Sequence, residues 1–259
     1  MYLGWAPTGL LCVLVVGAAP AVADHGVESP FRVPREQVAG ELRTVALAPL
    51  WVPKDLIVDP VDRAHLLDLV TLRLREAGIR VVPPAQTGPV LEAANAALGG
   101  YIDAAGSVDM ERYTAVQGEA LKTLRERTGA GQLLVVSLTG CEVPVSAGRA
   151  IWDGVEEEAA VPLARRTWAA KSGKLWALSV GAWLHGDGGQ LLYRHKGGLR
   201  LLFHYARDDK TVPVPDADLL ADDDRNGRAV RIALEPLLLP DDPARTASTD
   251  AAAHAGSSP

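Results

Sequence analysis

Three polar residues and a glycine near the carboxyl end of the chain have the spacing of a cation-binding loop. Asp222, Asp224, Asn226 and Gly227 match the first half of a calcium loop, in which oxygen ligands alternate and a glycine permits a sharp turn. The second half does not match, because Ala233 stands where such a loop carries a bidentate glutamate. Asp and Asn also cap helices, since they favour the positive end of the helix dipole. We therefore predict an acidic helix cap and no cofactor, with calcium binding by Asp222, Asp224 and Asn226 as the alternative.

Three histidines in the last third of the chain are candidate zinc ligands, because neutral imidazole is a common ligand of that metal. His185, His195 and His204 fall in or beside predicted strands, and Asp187 follows the first of them closely. None belongs to a His-x-His pair or to a helical pair four residues apart, the spacings that bring two imidazoles to one ion. The favoured interpretation is therefore three histidines at turns and strand surfaces.

The tripeptide Trp152-Asp153-Gly154 is the most distinctive cluster of side chains in the chain. Asp-Gly is a turn signal, so one interpretation is the tip of a hairpin whose tryptophan packs on a sheet. The other is an exposed aromatic anchor for a partner protein, beside the acidic run at 156–158. We favour the hairpin tip and keep Trp152, Asp153 and Gly154 as the candidate interaction residues.

Two further tryptophans, Trp176 and Trp183, fall on one predicted strand and follow the pair Arg165-Arg166 and Trp168. The odd separation of Trp176 and Trp183 places them on opposite faces of a regular strand. Tryptophans with arginines could form a surface that binds sugars, and packing within the core is the favoured interpretation.

Sequence motifs typical of enzymes are missing from the chain. It contains no G-x-S-x-G, S-x-x-K, H-E-x-x-H or glycine-rich phosphate loop. After the first 23 residues Cys141 is the single cysteine, and nothing in the pattern places a histidine beside it. Because unpaired cysteine is among the most buried residue types, we interpret Cys141 as a small buried strand residue. We predict a protein that is not an enzyme, with a hydrolase as a remote alternative.

The elements that must position these residues form two groups. Residues 44–50 and 79–82 read as strands, and Asp59-Pro60 starts a helix between them that Gly78 ends. This strand, helix, strand unit implies parallel strands with a right-handed crossover. Helices are also predicted at 90–98 and from Asp109 to Gly129, followed by a buried strand at 132–138.

The second group, after Gly140, reads as an antiparallel meander. Its predicted strands are 141–151, 174–184, 190–194 and 199–205, with glycine turns at 185–189 and 196–198. A last helix at 225–238 carries an apolar face that can dock on the sheet. The predicted fold class is therefore α/β, a mixed sheet with packed helices, parallel in its first half and antiparallel in its second.

The first 23 residues predict where the protein works. They carry no charged side chain, and an apolar run leads to Ala21-Val22-Ala23, the pattern of a secretory signal peptide cleaved after Ala23. The run is shorter than the roughly 20 residues that span a bilayer, so we expect a periplasmic protein with no membrane span after cleavage. An uncleaved anchor is the alternative, since no Lys or Arg precedes the apolar run.

The composition of the rest of the chain predicts its segment boundaries and argues against one class of partner. Residues 24–40 read as a linker, 41–239 as a single α/β domain, and 240–259 as a disordered tail without large apolar residues. The net charge of −6 argues against nucleic acid as a main partner, because phosphates require clustered Lys and Arg. The sequence predicts no oligomeric state.

The order of elements resembles a known family. An exported leader, the strand TVALAPL at 44–50, a helix ending in Ala77-Gly78 and the segment GAGQLLVVSL at 129–138 are similar to the amino-terminal α/β domain of the periplasmic TolB protein. Related domains of curli-secretion lipoproteins and penicillin-binding-protein activator lipoproteins share this pattern, although this chain has no lipid-attachment cysteine. The resemblance implies a non-catalytic domain that binds other envelope proteins, and it assigns no functional residue.

These observations favour an adaptor or assembly factor that contacts an envelope protein partner. The alternative is a periplasmic module that binds a small ligand or a glycan. A cleft lined by tryptophan with convergent polar groups would favour the ligand, and a broad exposed apolar patch would favour the adaptor.

Overall fold

A mixed β-sheet with helices packed against it makes this an α/β protein, as predicted. The computed structural model describes residues 29–102, 107–168, 172–206 and 210–239. The helices are Arg35–Glu41 (α1), Pro60–Glu76 (α2), Pro84–Ala97 (α3), Met110–Thr128 (α4), Arg165–Trp168 (α5) and Asp223–Leu238 (α6). The strands are Thr44–Leu47 (β1), Arg80–Val82 (β2), Gln132–Ser146 (β3), Arg149–Trp152 (β4), Val155–Glu158 (β5), Gly173–His185 (β6), Leu191–Leu201 (β7), Phe203–Tyr205 (β8) and Thr211–Pro213 (β9). The predicted signal peptide and tail lie outside the described residues.

The first half of the sheet is parallel, as the strand, helix, strand pattern predicts. Strand β1 lies between β2 and β3 and pairs in parallel with both. Helix α2 begins where expected, because the Asp59 carboxylate accepts a hydrogen bond from the N–H of Val61 at 2.7 Å. Helix α3 begins earlier than predicted, at Pro84, since proline suits the first turn of a helix.

The second half is antiparallel, as predicted, but a turn at Ala147 and Gly148 divides the predicted strand 141–151 between β3 and β4. Strand β3 continues through Gly140 and pairs with β6 from Leu133 opposite His185 to Val145 opposite Gly173. Strand β7 continues through 196–198, so the turn predicted there is wrong. A Cβ atom on Gly197 would lie 2.0 Å from the carbonyl oxygen of Ala229 in α6. Gly197 therefore permits a close approach of helix to strand instead of a turn.

Three groups of apolar side chains hold the layers together. Helices α2 and α6 pack on one face of the sheet, over Leu134, Val136 and Leu138. Helices α3 and α4 pack on the opposite face, over Leu133 and the partly buried Val135. The β4–β5 hairpin covers the far end of that second face, where Val143 and Val145 contact Ala177 and Leu201 in one cluster.

The described part of the predicted linker is folded against the domain. Phe31 forms an isolated antiparallel bridge with Tyr193, and their ring centroids are 5.2 Å apart. Residues Arg35–Glu41 form α1, whose Val38 side chain is buried in the main core. Residues 29–40 are therefore packed on the domain, and the linker interpretation is wrong for them. The sequence suggested a linker because polar residues and prolines outnumber the few apolar side chains that dock.

Candidate functional site

Trp152, Asp153 and Gly154 form the tip of the β4–β5 hairpin. Asp153 and Gly154 have φ angles of 40° and 79°, the left-handed conformations of a tight two-residue turn. The Trp152 side chain is only 7% exposed, and its indole N–H donates to the carbonyl oxygen of Leu178 at 3.4 Å. The indole is therefore part of the core beneath the hairpin, and the interpretation of Trp152 as an exposed anchor is corrected.

The hairpin tip is attached to the sheet by polar contacts. The Ser179 hydroxyl donates to the Asp153 carboxylate at 2.7 Å, and the N–H of Gly198 donates to the Asp153 carbonyl at 2.8 Å. A Cβ atom on Gly198 would lie 2.2 Å from Cγ2 of Val155, so only glycine permits this approach. These contacts fix one wall of the neighbouring cleft.

The predicted calcium ligands lie at the start of α6, where two of them already have partners. Asp222 caps the helix, and its carboxylate accepts from the N–H and Nε of Arg225 at 3.0 and 3.1 Å. These donors, the backbone N–H first, lower the pKa of Asp222. Asn226 is 1% exposed and donates from Nδ2 to the carbonyl of Leu220 at 2.7 Å. Asp222 therefore performs the predicted capping role, while calcium binding stays an untested alternative.

Groups of three or more His, Cys, Asp or Glu side chains placed to hold a metal do not occur among the described residues. The three histidines have separate surroundings. His185 is buried with Nδ1 3.0 Å from the carbonyl oxygen of Gly189, and burial lowers its pKa. His195 lies beside the Tyr193 ring, and His204 lies 4.0 Å from the Glu157 carboxylate.

A cleft of about 620 Å³ lies between strand β5, the segment that follows it, β8 and the first turns of α6. Side chains of both charge signs line it, among them four arginines and five carboxylates. The charged lining residues are Glu156, Glu157, Glu158, Arg165, Arg200, Asp222, Asp224, Arg225 and Arg228, with His204. Asp222 and Asp224 are thus brought to this cleft, while Asn226 points into the protein.

Glu157 is the centre of the inner wall of the cleft. Its side chain is 13% exposed and accepts from Nη1 of Arg225 at 2.9 Å and from the N–H of Leu201 at 3.0 Å. Arg200 lies next to this pair and donates through Nη1 to the carbonyl of Asp218. Burial first, and then the neighbouring Arg225 charge, lower the pKa of Arg200.

Two arginines of the cleft have unused hydrogen-bonding capacity. Nε of Arg200 is buried and has no hydrogen-bond partner within the described chain. The exposed Arg228 side chain likewise makes no ion pair with another described residue. By contrast, Arg165 and Arg149 on the outer side pair with Glu158 and Glu156. Arg228 is therefore the exposed arginine of the lining that has no ion pair with another described residue.

Sequence reasoning named the acidic run 156–158 but missed the role of Glu157. The arginines that surround it come from β7 and α6, far away along the chain. No local spacing signals that assembly.

The prediction that Trp176 and Trp183 lie on opposite faces of their strand is confirmed, because they pair with Glu142 and Val135 in the regular β3–β6 ladder.

Cys141 lies in β3 as predicted and is half-buried with a free thiol. Burial, as the first cause, raises the pKa of this thiol.

Of the helices in the described residues, none has the length and apolar character needed to cross a membrane. Comparison of the chain with protein-family models, with curated proteins and with solved structures gives no match.

Proposed function

We propose that this chain is an exported, non-catalytic protein of the cell envelope that works as an adaptor or assembly factor, and that its charged cleft holds an acidic segment of a partner protein. The observation that carries the proposal is the inner wall of the cleft. There Arg225 pairs with Glu157 and Asp222, Arg200 lies beside that pair, and Arg228 adds a third guanidinium. A carboxylate of a partner satisfies such donors with charge-assisted hydrogen bonds.

The lining of the cleft favours a polypeptide over a small apolar ligand. Sites for small molecules are mostly apolar with a few polar groups, whereas charges of both signs dominate here. Alternating charges set the register and the on-rate of protein association. The hairpin and the helix that form the walls are attached to each other by the Glu157–Arg225 contact, so the cleft is preorganised.

The cellular location in this proposal rests on the sequence. An uncharged apolar leader ending in Ala21-Val22-Ala23 supports export and cleavage after Ala23, which would release the protein into the periplasm. The resemblance to TolB-type domains supports the same class of function.

The test is recovery of a partner from living cells. The full-length chain carries a tag at its carboxyl end, is crosslinked in cells and is purified beside the Arg228→Glu variant. Arg231→Glu is the matched control, because Arg231 is exposed on the same helix and does not line the cleft. We expect one envelope protein whose recovery falls at least about tenfold in Arg228→Glu and is unchanged in Arg231→Glu.

Two results would overturn the proposal. One is equal recovery of every copurified protein with Arg228→Glu and with the unmodified chain. The other is a chain that is found only in the cytoplasmic fraction, since the proposed partner lies in the envelope. Thermal unfolding of both variants checks that the fold is retained.

A further inference from the structure

Strand β3 has an unpaired stretch on the side that faces away from β6. On that side β1 pairs with the first residues of β3, and Trp51 forms a parallel bridge with Ser137. Strand β4 pairs only with Val145 and Ser146, at the other end of β3. Between these two points no described strand pairs with residues 139–143 on this side. We name this stretch the unpaired edge.

The free hydrogen-bonding groups of the unpaired edge belong to Gly140 and Glu142. In an antiparallel ladder, successive residues direct their main-chain groups alternately to one side of the strand and to the other. The N–H of Leu138 donates to the carbonyl oxygen of Trp51 at 2.9 Å, away from β6. Gly140 and Glu142 follow Leu138 at even spacing in a regular ladder, so their N–H and C=O groups point the same way. None of these groups has a hydrogen-bond partner among the described residues.

The unpaired edge is open to solvent and closed at both ends. Gly140 and Glu142 are exposed, and the exposed surface of Gly140 is main chain because glycine has no side chain. Trp51 closes one end, and Pro144 lies at the other, where proline offers no N–H for a further pair with β4. The distance along β3 from Leu138 to Pro144 is about 20 Å, at about 3.4 Å per residue. A straight strand as long as β3, with 15 residues, would collide with these ends, whereas a short extended segment fits between them.

The side chains beside the unpaired edge favour an apolar residue opposite Gly140. A Cβ atom on Gly140 would lie 3.7 Å from Cε3 of Trp176. The half-buried indole thus lies next to a position that has no side chain of its own, and an apolar side chain from an added strand can pack against it. Beside this position Glu142 and Lys174 form an exposed ion pair at 2.7 Å, so these two charges compensate each other.

We propose that the unpaired edge binds a short extended segment of a partner protein as an additional antiparallel strand. The segment exchanges main-chain hydrogen bonds with Gly140 and with Glu142, and its residue opposite Gly140 is apolar and packs on Trp176. The ligand is a polypeptide because the free groups are main-chain donors and acceptors that alternate along a line, which is the pattern of another extended main chain. The proposal does not rest on the charged cleft, whose lining includes neither Gly140 nor Glu142.

The test uses the full chain labelled with ¹⁵N and the synthetic peptide acetyl-Lys-Thr-Val-Thr-Val-Thr-Lys-amide. In the extended peptide the valine N–H groups lie on one edge and the threonine N–H groups on the other. We expect the peptide, at millimolar concentration, to slow hydrogen exchange at the amides of Gly140 and Glu142 by at least about threefold.

Two N-methylated derivatives of the peptide test which of its edges is bound. One is methylated at the valine nitrogens, and the matched control is methylated at the threonines that precede them. In an antiparallel pair, the residues that bond Gly140 and Glu142 also direct their side chains to the face of Trp176. Methylation at valine should therefore abolish the protection, and methylation at threonine should preserve it.

A pair of variants tests the same contact from the side of the protein. Glu142→Pro removes an outward N–H and keeps the bonds to β6, whereas Glu142→Ala removes only the side chain. We expect Glu142→Pro to weaken peptide binding by about tenfold or more, and Glu142→Ala to change it by less than about twofold. Thermal unfolding checks that both variants keep the fold, and the N-methylated peptides test the unmodified chain.

Three results would each overturn the proposal. The first is slow exchange at Gly140 and Glu142 before peptide is added, because the edge would then be covered by another part of this chain or by a second copy. The second is the lack of protection by the unmodified peptide. The third is equal protection by the two N-methylated derivatives, or protection by the valine derivative alone. Since these measurements use a synthetic peptide and not the recovered partner, their failure is distinct from failure of the cleft proposal.

Discussion

The carboxylate of Glu157 lies 2.9 Å from Nη1 of Arg225, and this contact joins the β4–β5 hairpin to the first turn of α6. The two residues are 68 positions apart in the chain. The contact closes the inner wall of the cleft, where Arg200 and Leu201 also approach the hairpin. Glu157 therefore links the stability of the fold to the cleft in which we propose that a partner binds.

Replacing Glu157 with Gln should destabilise the fold. The substitution leaves the part-buried Arg225 with the exposed Asp222 carboxylate as its remaining ion-pair partner, and we expect a loss of about 1–3 kcal/mol in the free energy of unfolding. Glu156→Gln is the matched control, since that side chain is 45% exposed and pairs on the surface, so its loss should stay within about 0.5 kcal/mol. Urea unfolding of both variants measures the difference, and equal losses would contradict the role assigned to Glu157.

Trp152→Ala should reduce stability rather than remove only a surface contact. Because the indole is 7% exposed within the hairpin core, we expect a loss of about 3–5 kcal/mol. Trp152→Phe keeps an aromatic ring and should lose less. Thermal or urea unfolding decides the question, and a variant with unchanged stability would restore the interpretation of an exposed anchor.

Gly197→Ala and Gly227→Ala should change stability in opposite directions. An added Cβ at Gly197 meets the backbone of Ala229, so helix or strand must shift, at a cost of about 1–3 kcal/mol. Gly227 lies within α6 with no atom within 4 Å of an added Cβ, and alanine there should stabilise by about 0.5–1 kcal/mol. Unfolding midpoints of the two variants provide the comparison. Similar shifts would argue against close packing of α6 on β7.

Acid should destabilise the protein through His185. Burial lowers the pKa of this imidazole from 6.5, so the folded state binds its proton less readily than the unfolded state does. The imidazole therefore has no destabilising effect well above pH 6.5 and opposes folding increasingly as the pH falls below that value. In His185→Phe the fall in unfolding midpoint between pH 7 and pH 5 should be smaller than in the unmodified chain. An identical pH profile would contradict this assignment.

Millimolar calcium should leave the thermal midpoint unchanged relative to a chelator. Asp222 is engaged by Arg225, and Asn226 is turned into the core toward Leu220, so the predicted ligands do not converge. An increase that disappears in Asp224→Asn would instead support the calcium loop.

Much of the fold was predictable because its signals are local. The Asp59 and Asp109 caps and the left-handed Gly129 mark helix ends through contacts with residues at most four positions away. The strand β6 carries its own alternation, so the opposite faces of Trp176 and Trp183 followed from spacing. The prediction of a turn at 196–198 was wrong because glycine occurs both in turns and where two backbones approach closely. Only the position of α6 over Gly197 shows that the close approach applies here.

The sequence by itself determined the α/β class, the parallel unit followed by a meander, and the acidic cap of α6, since each depends on residues close together in the chain. Only the tertiary structure decided that Trp152 is buried and that Glu157 pairs with Arg225 of α6 beside Arg200 of β7. The same holds for Trp51 and Trp183, which approach Ser137 from separate segments of the chain. Burial and charge pairing are set by neighbours in space, and strand register and helix docking bring those neighbours together.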